Sequence, residues 1–123
     1  MATPPHITEA EWEVMQVLWE QGPLTLPAVL GALSASTAWN PSTVRTLLGR
    51  LAHKGAVEVS GQRRSYRYAP RFSREECVRS ETRSFVRRMY GGALKPMLLT
   101  FVQEERLSPE EIAELRRALE ARD

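Results

Sequence analysis

The feature that most constrains this chain is a change of period at Gly55. Upstream, "NPSTVRTLLGRLAHK" repeats its apolar residues at helical spacing, and downstream "AVEVSGQRRSYRYAP" alternates. A helix cannot continue through that change, nor can the second pattern sit still as a helix, so the junction predicts a helix followed by a two-stranded hairpin. Asn40 and Pro41 start the helix as cap and first residue, and Gly55 ends it as a left-handed C-cap. The strands are expected at about 56–60 and 65–69, with a turn over Gly61–Arg64.

Two helices precede this unit. Thr8 with Glu11 forms a capping box, after which Trp12, Met15, Leu18 and Trp19 recur at helical spacing as far as Gly22–Pro23, predicting a helix over 9–21. Thr25 caps a second helix with Pro27 in its first turn, apolar residues Val29, Leu30 and Leu33, and an end near Ala35. Three helices and a hairpin with arginines at its tip make a winged helix-turn-helix. The rest is helical: Ser73/Glu76 opens a fourth helix ending at Gly91–Gly92, a fifth spans about 93–104, and Ser108/Glu111 opens a sixth. The expected architecture is mainly α, with a DNA-binding winged helix over residues 1–71 and a three-helix dimerisation region over 72–123. The apolar stripes of that second region, Phe85, Met89, Leu94, Leu98, Phe101, Ile112, Leu115 and Leu119, are too thin to bury much alone and call for a second copy of the chain.

Charge is distributed unevenly. Residues 1–39 hold four glutamates and no Lys or Arg, whereas residues 40–71 hold Arg45, Arg50, Lys54, Arg63, Arg64, Arg67 and Arg71 against Glu58 alone. A positive block on the third helix and the hairpin is the footprint of a polyanion-binding surface. On a helical wheel Val44, Leu47, Leu48 and Leu51 fill an arc of roughly 100°. Opposite lie Ser42, Thr46, Gly49 and His53, flanked by Thr43, Arg45 and Arg50. Gly49 costs a helix interior about 1 kcal/mol relative to alanine. It lets the backbone approach another surface, beside short hydroxyls and forked arginines suited to base edges in the major groove. Ser42, Thr43, Arg45, Thr46 and Arg50 are therefore the base-reading candidates, and Lys54, Arg63 and Arg64 the phosphate candidates. Trp39 serves either as a hydrophobic staple or against the DNA backbone, and His53 reads as a surface group at a helix C-terminus.

Other chemistry finds no support. The single cysteine, Cys77, forms no internal disulfide and reads as a packing residue. His6 and His53 lie far apart, so no metal or cofactor site and no nucleophile–base pair is expected, and the chain does not read as an enzyme. The N-terminus resembles no export signal and no run approaches the roughly 20 apolar residues of a membrane span, which predicts a cytoplasmic protein without membrane insertion. The runner-up to a DNA-binding dimer is a winged-helix protein-interaction module that reads no DNA sequence.

"ITEAEWEVMQVLWEQGPLT", "WNPSTVRTLLGRLAHKGAVE", "RSYRYAP" and "RSFVRRMYGGALKPMLLTFVQEERLSPEEIAELRRALE" resemble the penicillinase repressor (BlaI/MecI) family of bacterial transcription regulators from about Ile7 onward. The resemblance implies a homodimeric repressor on a dyad operator, involved in antibiotic resistance and released when a membrane sensor-protease pathway cuts the dimerisation region. It places DNA contacts at Ser42, Thr43, Arg45, Thr46, Arg50, Arg63 and Arg64. It aligns the family's Asn–Phe cleavage bond with Thr100–Phe101, where threonine is a departure. Copper-responsive relatives end in a cysteine cluster, which "EIAELRRALEARD" lacks.

Overall fold

The computed structural model describes residues 2–122. Local signals set most of the elements. The Thr8/Glu11 capping box closes on α1 (Glu9–Gln21), with both reciprocal bonds made. Thr25 caps α2 (Leu26–Leu33), and Asn40 caps α3 (Pro41–His53), whose first residue is a proline. At the end of α3, Gly55 takes φ +85°, and the amides of Ala56 and Gly55 donate back to the carbonyls of Leu51 and Ala52. That Schellman arrangement turns the chain out of the helix and into the hairpin β2 (Val57–Ser60) and β3 (Arg67–Pro70).

Three expectations are corrected in detail. The second helix ends at Leu33 rather than near Ala35, because the hydroxyls of Ser34 and Thr37 donate to the carbonyls of Gly31 and Leu33 and compete with further helical bonding. The outgoing strand begins at Arg67 rather than 65, since the tip uses more residues: Ser65 N–H bonds to the Gln62 carbonyl at 2.7 Å. A side chain on Gly61 (φ +87°) would meet the Ser65 carbonyl at 3.0 Å, so only glycine closes this turn without strain. A third strand was not foreseen. β1 (Leu24–Thr25) pairs antiparallel with β3, making a sheet of order β1-β3-β2 with Leu24 opposite Tyr68 and Val59 on the other side of it.

The core lies between α1, α2, α3 and the sheet. Val14, Met15, Leu18, Val29, Leu33, Val44, Leu48 and Leu51 are buried, with Ile7, Ala56, Val57 and Cys77 joined to them. The Trp19 indole donates to the Phe72 carbonyl at 2.9 Å and meets the Trp12 ring edge-on. Burial against this core pushes the Cys77 thiol up to about 11, with Glu76 and Glu81 adding to the shift.

The chain divides into two compact units between Thr82 and Arg83, inside α4 (Arg74–Tyr90), whereas the sequence break suggests 71/72. The physical reason is the first half of α4. It buries Cys77 in the core, and its Glu81 carboxylate accepts from Ile7 N–H at 3.0 Å while Ser80 donates to the Pro4 carbonyl. The second unit comprises the end of α4, α5 (Leu94–Glu104) and α6 (Pro109–Glu120), the last opened by the Ser108/Glu111 capping box. Within it Val86 and Met97 are buried, and Phe85 stacks on Phe101 with ring centroids 6.3 Å apart.

Candidate nucleic-acid interface

α3 buries Val44, Leu47, Leu48 and Leu51 and turns Ser42, Arg45, Thr46, Gly49, Arg50 and His53 to solvent, with Thr43 half-buried. The base-reading candidates thus share one exposed surface. Two details sharpen their chemistry. The Thr46 hydroxyl donates to the Ser42 carbonyl at 3.0 Å, which leaves its lone pairs free to accept. A Cβ built on Gly49 meets nothing within 4 Å, so no internal packing explains a residue that weakens the helix. The space its missing side chain leaves is open to solvent.

Two grooves flank this stripe, one on each side. On the wing side Arg45 shares a concave surface with Arg63, Arg64, Tyr66 and Tyr68, closed by Thr25, Leu26 and Pro27 at the start of α2. On the other side Arg50, Thr46, Gly49 and His53 border a groove with Thr8, Glu11 and Lys54. The two arginines of α3 therefore occupy different environments. The share of Thr25 and the two tyrosines in the wing-side groove was not read from sequence. Tyr68 lies in β3 and Tyr66 immediately before it, but the groove itself depends on β1, a pair of residues too short to announce itself.

Two phosphate candidates make contacts within the protein. The Lys54 ammonium lies 2.6 Å from a carboxylate oxygen of Glu11 and 2.9 Å from the His6 carbonyl. It is held as the counter-ion of a buried carboxylate. Burial would raise the Glu11 pKa, but the hydrogen bonds from Lys54 and from the Thr8 amide outweigh it and hold the group below the ordinary carboxylate range. Trp39 packs against the core and shares a shallow depression with Trp12, Glu9 and Glu13. Two carboxylates therefore border the depression beside Trp39. His53 is exposed at the last turn of α3, as expected of a surface group.

Arg45, Arg50, Arg63 and Arg64 have no carboxylate partner: the ion pairs among the described residues are Lys54–Glu11 and His6–Glu81. Four uncompensated guanidiniums around an exposed helix and wing form a surface prepared for an anion. No group of three or more His, Cys, Asp or Glu among the described residues could hold a metal ion, and no described helix is long and apolar enough to cross a membrane.

In the second unit, the expected dimerisation residues Met89, Leu94, Leu98, Phe101, Ile112, Leu115 and Leu119 are exposed in the single chain, and Phe85 is half-buried. Val102, Leu107, Ile112, Leu115 and Leu119 line an apolar groove between α5 and α6. The Thr100–Phe101 bond lies inside α5, where the Thr100 hydroxyl donates to the Pro96 carbonyl.

Comparison with known proteins gives this geometry a lineage. The chain is 37% identical over 116 residues to the penicillinase repressor of Bacillus licheniformis, covering 94% of this chain and 91% of that protein. It is 30% identical over 114 residues to the methicillin resistance regulatory protein MecI of Mammaliicoccus sciuri, covering 93% of each. The solution structure of the DNA-binding domain of the repressor BlaI aligns with a TM-score of 0.55 at 34% identity, over 62% of this chain and 93% of that one. The structure of monomeric Bacillus licheniformis BlaI in complex with the blaP half-operator aligns with a TM-score of 0.53 at the same identity and coverage. The penicillinase repressor family as a whole matches residues 7–121. That match takes in the winged helix and the helices after it, and the chain belongs to the penicillinase repressor family, whose members are transcriptional repressors and not enzymes.

Proposed function

We propose that this chain is a homodimeric transcriptional repressor that lays α3 in the major groove of a dyad operator and its wing on the flanking backbone. The observation that carries the reading is the exposed face of α3, where Gly49 leaves open space between Thr46 and Arg50. Thr43, Thr46, Ser42 and Arg50 reach base edges, Arg45 lies at the border of helix and wing, and Arg63 and Arg64 hold phosphates. A solved relative with the same winged helix is bound to a half-operator, which supports DNA as the partner.

Dimerisation follows from the second unit. Met89 is 64% exposed and Leu119 61%, with Leu94, Phe101 and Leu115 close to half exposed, an apolar surface that water does not favour and a second copy covers. Two tethered winged helices reach half-sites about 34 Å apart, or a multiple of it. Tethering raises the apparent affinity of two weak half-site binders by roughly 10²–10⁴ without new contacts. Repression then ends most directly by breaking the tether. Cleavage at Thr100–Phe101 by a membrane sensor-protease pathway would remove Phe101, Ile112, Leu115 and Leu119 and leave the winged helix whole. Because the bond sits in the middle of α5, cleavage requires local opening of that helix first. A chain truncated after Thr100 tests this: it should sediment as a monomer at micromolar concentration and lose operator affinity by the linkage factor. A truncated chain that dimerises and holds the operator as tightly as the full chain excludes this bond as the switch.

A further inference from the structure

The wing-side groove brings guanidinium, aromatic and apolar side chains together in one concave surface. It encloses about 510 Å³, within the range of small-molecule sites. Arg45, Arg63 and Arg64 supply three guanidiniums with no carboxylate partner among the described residues. Tyr66 and Tyr68 supply rings, and Leu26 with Pro27 an apolar wall, at the N-terminal turn of α2 where the helix dipole adds positive potential. Guanidinium forks recognise phosphate oxygens, and tyrosine faces accept a planar ring. A lone phosphate meets the first requirement, and a phosphate ester that carries a planar group meets both.

We propose that this groove seats a small phosphate ester carrying a planar group, a free nucleotide in size, which takes Arg45, Arg63 and Arg64 away from DNA. The inference rests on the DNA-binding reading for its consequence: the occupant is a competitive releasing ligand that acts without cutting the chain. The phosphate chemistry is shared by two sources, the operator backbone and the free ester, and they are told apart by assaying both. In the protein alone, at constant ionic strength, adenosine 5′-monophosphate should bind one per chain and shift the amide resonances of Thr25, Arg45 and Tyr66, whereas uncharged adenosine should not. Arg63→Ala combined with Arg64→Ala should weaken this binding about tenfold or more, from the loss of two charge-assisted contacts. With operator duplex present, the nucleotide should raise the apparent dissociation constant by a factor of one plus the ratio of its concentration to its own dissociation constant for each chain, about fourfold for the dimer when the two are equal. If the duplex binds normally and the nucleotide displaces it no better than chloride of equal ionic strength, the groove serves the backbone alone and the proposal is wrong. If instead the duplex fails to bind while the nucleotide still shifts the groove resonances, the site stands and the operator reading falls.

Discussion

Replacing Lys54 with methionine separates its two candidate roles. The Lys54 ammonium is 2.6 Å from Glu11, whose side chain is 2% exposed, while that of Lys54 is 28% exposed. Removing one partner of a buried pair costs about 3–5 kcal/mol, mostly from the charge left behind, and the partial exposure of Lys54 reduces this to about 2–3 kcal/mol. For a domain of this size that is a fall in Tm of roughly 10–20 °C. Because Glu11 is ionised more readily in the folded chain than its ordinary 4.5, the pair contributes stability above that pH and loses it as pH falls through the lower folded value. In Lys54→Met the sign reverses: the unpaired carboxylate is relieved by protonation, so the gap between the two proteins should be widest near neutrality and close in acid. Chemical denaturation followed by Trp12 and Trp19 fluorescence at several pH values measures it. The salt dependence of DNA binding should keep its slope. A variant as stable as the parent, with the slope reduced by about one, would show that Lys54 holds a phosphate and refute the reasoning.

Arg50→Ala should cost about 1–3 kcal/mol on the operator and much less on random DNA, whereas Arg63→Ala should weaken both alike and lower the salt slope by about one; titrations on the two duplexes decide it. Gly49→Ala should raise stability by up to about 1 kcal/mol, since its Cβ enters open space, yet weaken operator binding by closing the approach to α3. A stabilised variant that binds as well as the parent would remove the case for Gly49. Cys77, with its thiol pushed up to about 11, should stay protonated and unreactive toward a thiol reagent at pH 8 until the protein unfolds, and fast labelling of the native chain would contradict its burial.

What could be read from sequence was local. The Thr8/Glu11, Ser73/Glu76 and Ser108/Glu111 boxes, the Asn40–Pro41 start and the Gly55 stop act within a few residues, and each fixes a boundary that is visible one residue at a time. The apolar arc of α3 then determined which side faced out, and with it Ser42, Arg45, Thr46 and Arg50. What escaped was long-range or very short. Lys54 and Glu11 are separated by 43 positions, so nothing near Lys54 marked it as a counter-ion. β1 has two residues and no period, which hid the groove that joins Arg45 to the wing. The attachment of early α4 to the first unit rests on Cys77 joining the core and Glu81 accepting from Ile7, contacts that helical periodicity does not encode. Phe101, read from sequence as part of the dimerisation stripe, is 45% exposed in the single chain.

The central claim, a dimer that reads a dyad through α3, is tested most directly by footprinting the full chain on the DNA upstream of its own gene. At moderate salt the protein should protect two symmetric half-sites about one helical turn or a multiple apart, with major-groove guanines inside each shielded from methylation, and Arg50→Ala should abolish the pattern while random-sequence binding persists. Protection of a single asymmetric site, or a footprint that Arg50→Ala leaves unchanged, would contradict it.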